Sequence, residues 1–232
     1  MDTNYEYDLV GIDTETGGLN GYFNCSRSGQ TLKGSEHYPL LEIALVVPKY
    51  RVSDKGVLLT VANGDSLTVG IKPNIDECYT DLTEWAKDNL SEWAFEQHTK
   101  SGLLARLETG EGFDYVAPTY KSAEAFILGW LEHQGVEAYN KEDRTGAIVY
   151  GNNIAFDLDF IDAKMPNLVS HFHYRKIDVS TINVLARSIW SEFGIDKPNK
   201  ALNHTALADI LESTEELNLY TQWLEKQGAD HA

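Results

Sequence analysis

An α/β domain built on a mixed sheet is the fold class this sequence predicts. Three observations lead there. Apolar, β-branched runs such as LLEIALVV (Leu40–Val47) and SLTVGI (Ser66–Ile71) crowd the first third of the chain. Helix-period apolar stripes then alternate with short apolar runs through the remainder. No repeat, low-complexity tract or proline-rich linker divides the 232 residues, so one domain over residues 1–232 is expected.

The elements follow in order. Tyr7–Asp13 is apolar enough for a first strand. From Gly18 to about Tyr38 the chain is rich in Gly, Ser and Asn, which reads as a long and mobile loop. Leu40–Val47 reads as a buried strand, and Val57–Val61 and Ser66–Ile71 as two more. Helical character begins near Cys78. In Ser122–Gln134, Ala123, Phe126, Ile127, Trp130 and Leu131 recur at steps of three and four and make one apolar face. Ala147–Gly151 is a short strand. A helix over Asp157–Met165 should stop near Pro166. Arg175–Val179 suits a strand and Thr181–Trp190 a helix. A last helix spans about Thr205–Lys226, with Leu207, Ile210, Leu211, Leu217, Tyr220 and Leu224 on one face.

Composition narrows the function classes. Hydrophobic residues make up 42% and aromatics 11%, enough for a real core. No apolar run approaches the roughly 20 residues of a membrane span. The polar start MDTNYEYD does not read as a signal peptide, and two cysteines in unlike contexts, Cys25 and Cys78, point to a reducing cytoplasm. A formal net charge of −17 argues against broad capture of long nucleic acid, which needs a basic stripe. It is compatible with a carboxylate site for divalent cations and with plain solubility.

Three acidic motifs carry the chemistry. In GIDTETGGLN (Gly11–Asn20), Asp13 and Glu15 are i and i+2 on a strand and face one side. Burying two like charges unpaired costs several kcal/mol, on the order of what a hard divalent cation would relieve. Two solvated turn acids before Gly17 and Gly18 fit the same letters. In GNNIAFDLDF (Gly151–Phe160), Asp157 follows a strand and an Asn-rich turn. Asp159 competes with it, and either would suit a helix N-terminus. In NHTALADI (Asn203–Ile210), His204 and Asp209 are about 140° apart on a helix. They share a site only if His204 precedes the helix, from where it could take a proton from water. A capping His and a surface Asp are the alternative. Together, four carboxylates and a histidine match two-metal phosphodiester hydrolysis with Mg²⁺ or Mn²⁺.

DTETGGLN resembles the first motif of the DEDD exonucleases, and His-x4-Asp resembles the ending of their DEDDh branch. The resemblance is closer to the oligoribonuclease family. It rests on WAFEQHTKSGL (Trp93–Leu103), on the run from Gly151 to Thr181 with its segment HFHYRKIDVST, and on NHTALADILESTEELNLY (Asn203–Tyr220). These matches spread over about Tyr7 to Leu224. The resemblance implies a ribonuclease H-like exonuclease fold, with a mixed central sheet flanked by helices. It implies that Asp13, Glu15, Asp157 and Asp209 bind two metals and that His204 is the general base. It implies that Leu19 wedges between two bases and that Trp93 stacks on one. His98, Tyr174, Arg175, Ser180 and Thr181 would cap the 5′ phosphate, some from the partner subunit of a homodimer. By their residue types alone, Trp93 and Tyr174 read as core aromatics, Arg175 as a surface or salt-bridge residue and Leu19 as an ordinary turn residue.

The chain departs from the family in three ways. It carries inserted segments near residues 20–38, 48–66 and 108–118. Thr16 and Gly17 read like proofreading exonucleases. Asn153 stands where the family often has serine, keeping hydrogen-bonding capacity. The implied activity is 3′-to-5′ hydrolysis of very short single-stranded RNA, with dinucleotides as the extreme case. Two rivals are a broader DEDDh exonuclease on single-stranded DNA or longer RNA 3′ ends, and a non-catalytic binder on the same scaffold. The 20–38 insert directly after Leu19 is expected to cover the site and limit substrate length.

Overall fold

The computed structural model describes residues 8–24, 29–53, 56–190 and 205–229. Strand β1 (Leu9–Thr16) leads into a hairpin of β2 (Tyr22–Asn24) and β3 (Thr31–Lys33), one helical turn α1 (Gly34–His37) and strand β4 (Leu40–Val46). A two-stranded ribbon, β5 (Lys49–Ser53) and β6 (Gly56–Thr60), precedes β7 (Ser66–Ile71). Then come α2 (Leu82–Asn89), α3 (Glu92–Lys100), α4 (Leu103–Thr109), β8 (Tyr115–Ala117), α5 (Tyr120–His133) and β9 (Ile148–Gly151). The order ends with α6 (Ile154–Lys164), α7 (Pro166–His171), β10 (Lys176–Asp178), α8 (Val179–Arg187) and α9 (Ala206–Ala229).

Six strands form the central sheet in the order β10-β9-β1-β4-β7-β8. Strand β4 runs antiparallel to both β1 and β7, while β9 and β10 continue parallel to β1. This mixed sheet flanked by helices is the ribonuclease H-like exonuclease arrangement that the sequence predicts. Every residue of β4 is buried, because helices cover both faces at the sheet's centre. One face packs Ala123, Ile127 and Leu131 of α5 and Ile154 and Ile161 of α6 against Ile12, Ile43 and Leu45. The other packs Ala206, Ile210, Leu217 and Tyr220 of α9 against Ala44, Val46 and Tyr150. A third cluster joins α2, α3 and α4 around Leu41.

Several boundaries differ from the sequence reading. Strand β1 continues past Asp13 to Thr16, because its backbone pairs with β4 whatever its side chains carry (Asp13 opposite Ala44, Glu15 opposite Glu42). The expected loop after Gly18 holds β2, β3 and α1. Its tip at residues 25–28, Cys25 included, lies outside the described residues. The Val57–Val61 segment pairs with β5 rather than joining the central sheet. Helix α6 begins at Ile154, three residues early, so Asp157 sits in its first turn. Phe126 is 40% exposed and stacks on Tyr115 at 4.4 Å instead of entering the core. Leu211 and Leu224 are likewise exposed on α9.

Helix α9 approaches β1 through a gap left by Gly11. A Cβ there would lie 2.6 Å from Val46 Cγ2, 2.7 Å from Tyr150 Cζ and 2.8 Å from Ile210 Cγ1. Gly11→Val should therefore push α9 off the sheet and destabilise the fold by about 1–3 kcal/mol or more. Thermal unfolding of the variant checks this, and an unchanged Tm would show that the gap tolerates a side chain.

Candidate active site

The site forms where the parallel strands end. Side chains alternate along β1, so Asp13 and Glu15 share the face on which Gly11 meets Ile210. Asp209, the residue before Ile210, lies in the first turn of α9. Asp13, Glu15 and Asp209 each offer a carboxylate oxygen, and these oxygens lie within 4.8 Å of one another. Asp157 joins them from the helix after β9. It is 4% exposed, and its Oδ1 accepts a 2.6 Å hydrogen bond from the Thr14 hydroxyl. Thr14 points to the opposite side of β1 from Asp13, so one strand touches carboxylates brought by helices from both faces of the sheet.

The charges strain against burial. Asp13 is pushed well above the usual carboxylate range by loss of water, then by Asp157, Asp209 and Glu15. Glu15 is pushed up to about 8, by burial first and then by Glu42, Asp209 and Asp157. Burial raises Asp157 to about 7 against the lowering effect of the Thr14 hydrogen bond. A set of oxygen donors held this close, and partly shielded from water, suits a divalent cation.

Three residues that motif reading missed support this cluster. Glu42 is fully buried on β4 directly opposite Glu15. Arg106 from α4 meets it with two hydrogen bonds, at 3.2 and 3.3 Å, and lowers the pKa of Glu15 as well. The Arg106 guanidinium also sits 4.4 Å from the Phe113 ring. The partners are 64 residues apart in sequence, so no local pattern announces them. Glu216, also fully buried, accepts from Asn152 of the turn after β9 and from Asn183 of α8, which fastens α9 beside the site.

The remaining predicted residues divide by place. His98 is buried on α3. Its Nε2–H donates to the Thr16 carbonyl at 2.8 Å, and its Nδ1 lies 3.8 Å from Glu15. Burial lowers its pKa, which favours the neutral ring. Leu19 and Trp93 are 70% and 61% exposed, so Trp93 is not the core aromatic that residue type alone suggests, while Leu19 stands in water after the turn. Asn153 adopts a left-handed backbone (φ 54°), and its N–H donates to Asp178. Asp178 caps α8 through the N–H groups of Ser180 and Thr181 and accepts from the Ser180 hydroxyl. It also adds to the charge around Asp157. Asn153, Ser180 and Thr181 thus stand at the same end of the sheet as the acids. Tyr174 and Arg175 precede β10, at its opposite end from Asp178, roughly 10 Å along the strand. Tyr174 is 68% exposed, with Arg175 5.6 Å over its ring. Asp159, the competitor to Asp157, faces away and accepts from Asn20 at 2.6 Å. His204 lies outside the described residues. Thr205, which follows it, immediately precedes α9, with its carbonyl accepting from the Asp209 N–H at 3.0 Å.

No family model matches the chain. Curated relatives do. The oligoribonuclease of Leifsonia xyli subsp. xyli is 33% identical over 86% of this chain and 80% of its own length. That of Cutibacterium acnes is 31% identical over 88% and 84%. The mouse protein named mitochondrial oligoribonuclease is 34% identical over 62% of this chain and 55% of its own.

Two outcomes follow from the electrostatics. Removing Arg106 (Arg106→Leu) leaves buried Glu42, whose pKa burial already raises, without its cationic partner, and should cost about 3–5 kcal/mol of stability, seen as a lowered denaturation midpoint. A change below about 1 kcal/mol would show that the pair is dispensable. Cation-free protein should also lose stability as pH rises. Folded Glu15 keeps its proton up to about pH 8, while the unfolded chain releases it near the ordinary 4.5. Between those values the folded state binds more protons, so this stability is full below the lower value and lost as pH climbs through the upper. In chelator, Tm should fall between pH 5 and 8, and a divalent cation should restore more of it at pH 8. A flat Tm, or equal restoration at both ends, would contradict this.

Proposed function

This chain belongs to the oligoribonuclease family, and on that premise we propose that it is a 3′-to-5′ exoribonuclease. It hydrolyses short oligoribonucleotides, dinucleotides among them, to nucleoside 5′-monophosphates. One observation carries the reading: Asp13, Glu15 and Asp209 converge to within 4.8 Å at a strand end, where burial and mutual repulsion raise the pKa of Asp13 and Glu15.

Two divalent cations, Mg²⁺ or Mn²⁺, are the proposed cofactors, held by Asp13, Glu15, Asp157 and Asp209. The donor set fits them, being anionic, all-oxygen and repulsive until a cation is added. When bound, they supply the positive charge that a phosphodiester transition state needs and the acidity that makes water nucleophilic near neutral pH.

The chain's own residues set the geometry. The Thr14 hydroxyl holds one oxygen of Asp157 and leaves the other for the site. His204 is the proposed base. Its ring nitrogen takes a proton from the attacking water as the bond from phosphorus to the 3′ oxygen of the preceding nucleotide breaks. Its place in the chain, just before Thr205 and the turn that holds Asp209, supports that role. Leu19 and Trp93 present exposed apolar faces to the two bases. His98, Asn153, Ser180 and Thr181 lie beside the acids and serve the phosphate. Tyr174 and Arg175 sit at the far end of β10, which supports a homodimer in which the partner subunit supplies that part of the cap. The cytoplasm is the proposed compartment.

Purified protein with Mn²⁺ should cut RNAs of two to seven nucleotides with kcat/KM highest for the shortest. Asp157→Asn and His204→Ala should each lower turnover by about 10²-fold or more with Tm preserved. Full turnover by either variant would refute the mechanism. A flat length profile, or equal use of DNA, would assign the site to a general exonuclease.

A further inference from the structure

The inserted arm of β2, β3 and α1 is built into the molecule. The Gly34 N–H donates to the Gly21 carbonyl at 2.8 Å, and the Ser35 N–H donates to Asn20 Oδ1 at 3.0 Å. Asn20 in turn donates to Asp159 of α6, and Lys33 pairs with the same carboxylate at 3.6 Å. Lys164 at the end of α6 donates to the Glu36 carbonyl. The backbone fit is close enough that a Cβ on Gly34 would lie 1.9 Å from the Leu19 carbonyl oxygen. The helix that presents Asp157 therefore also fixes the arm.

So anchored, the arm meets Trp93 across an open cavity of about 320 Å³. Leu19, Gly21, Tyr22, Tyr38, Ser91 and Trp93 line it. That volume is at the small end of ligand sites. Leu19, Tyr22 and Trp93 are 70%, 74% and 61% exposed, so three large apolar surfaces stand in water around one hollow. Tyr38 backs it by packing its ring over Gly18, where a Cβ would come within 2.5 Å. The residues that line the cavity are tied to the segment that carries the acids. Leu19 follows the Thr16–Gly18 turn, the Ser91 N–H donates to the Gly17 carbonyl, and Trp93 shares α3 with His98, which touches Thr16 and Glu15.

We propose that this arm is a specificity element of the exonuclease, and that Tyr22 supplies a second stacking surface, besides Trp93, for one nucleobase of the substrate. The inference rests on the reading of the site as a short-RNA exonuclease. Phosphates go to the carboxylate end of the site, so an aromatic-walled hollow beside it suits the attached base. Stacking on an aromatic ring is tolerant of base identity and requires no hydrogen-bonding edge. Tyr22 can supply it without carrying charge into a site where net negative charge already repels the substrate. The phenol ring is the working part, so Phe should replace Tyr here and Ala should not.

The test compares wild type, Tyr22→Ala and Tyr22→Phe on 5′-phosphorylated diadenylate. Two analogues each replace one nucleoside by an abasic ribose. Tyr22→Ala should raise KM for the complete dinucleotide about tenfold, with kcat changing less, and Tyr22→Phe should restore it. On one abasic analogue, the one lacking the base that Tyr22 touches, wild type and Tyr22→Ala should coincide. An unchanged KM in Tyr22→Ala, or a tenfold loss that persists on both analogues, would overturn the role of the arm while leaving the exonuclease reading intact. Failure of the wild type to cut any dinucleotide would overturn that reading, and this inference with it.

Discussion

Repulsion between carboxylates on a buried strand is the constraint that organises this protein. Asp13 and Glu15 sit in β1, not beyond it, with backbone pairing on the β4 side through Ala44 and Glu42. A strand cannot turn such side chains to solvent without a register slip that would also expose Ile12. The charges must therefore be accommodated where they are. Arg106 compensates Glu42, Thr14 holds Asp157, and the remaining oxygens converge on one point.

The topology explains how residues so far apart in sequence meet there. Strands β1, β9 and β10 run parallel, so their C-terminal ends lie at one edge of the sheet. Each following segment begins at that edge: the Gly17–Gly18 turn, the start of α6 with Asp157, and the start of α8 capped by Asp178. Helix α9 brings Asp209 to the same edge across the other face. Ligand sites at the carboxyl ends of strands are the general outcome for α/β sheets. Here the closeness of α9 depends on Gly11, and its seat depends on buried Glu216 with Asn152 and Asn183.

Much of this was legible in the letters, for physical reasons that differ by element. Strands β4 and β7 were readable because they are buried and most of their positions are apolar. Asp13, Glu15, Asp157 and Asp209 were readable as acids flanking apolar runs, a pattern that burial alone would not select. Glu42 and Arg106 were not, since the letters of β4 show only one polar residue in an apolar strand and its partner is distant. The strands of the arm after Leu19 are hidden in the letters, because three residues have too little alternation to show a period. Residue type alone does not show that Trp93 and Tyr174 are exposed, since an aromatic on the surface and one in a core are the same letter. Residue type and helix position leave Asp157 and Asp159 equal, the family resemblance favours Asp157, and the structure turns Asp159 to Asn20 and Lys33.

Without a cation, these carboxylates are held protonated or mutually repelling. Calorimetric titration of Mn²⁺ into chelator-stripped protein at pH 7, in two buffers of different ionisation heat, counts the protons displaced. Saturable binding with release of about one proton or more is expected, since Asp13 and Glu15 would have to give up theirs to act as the proposed ligands. Binding whose heat is the same in both buffers, or no binding at all, would contradict it.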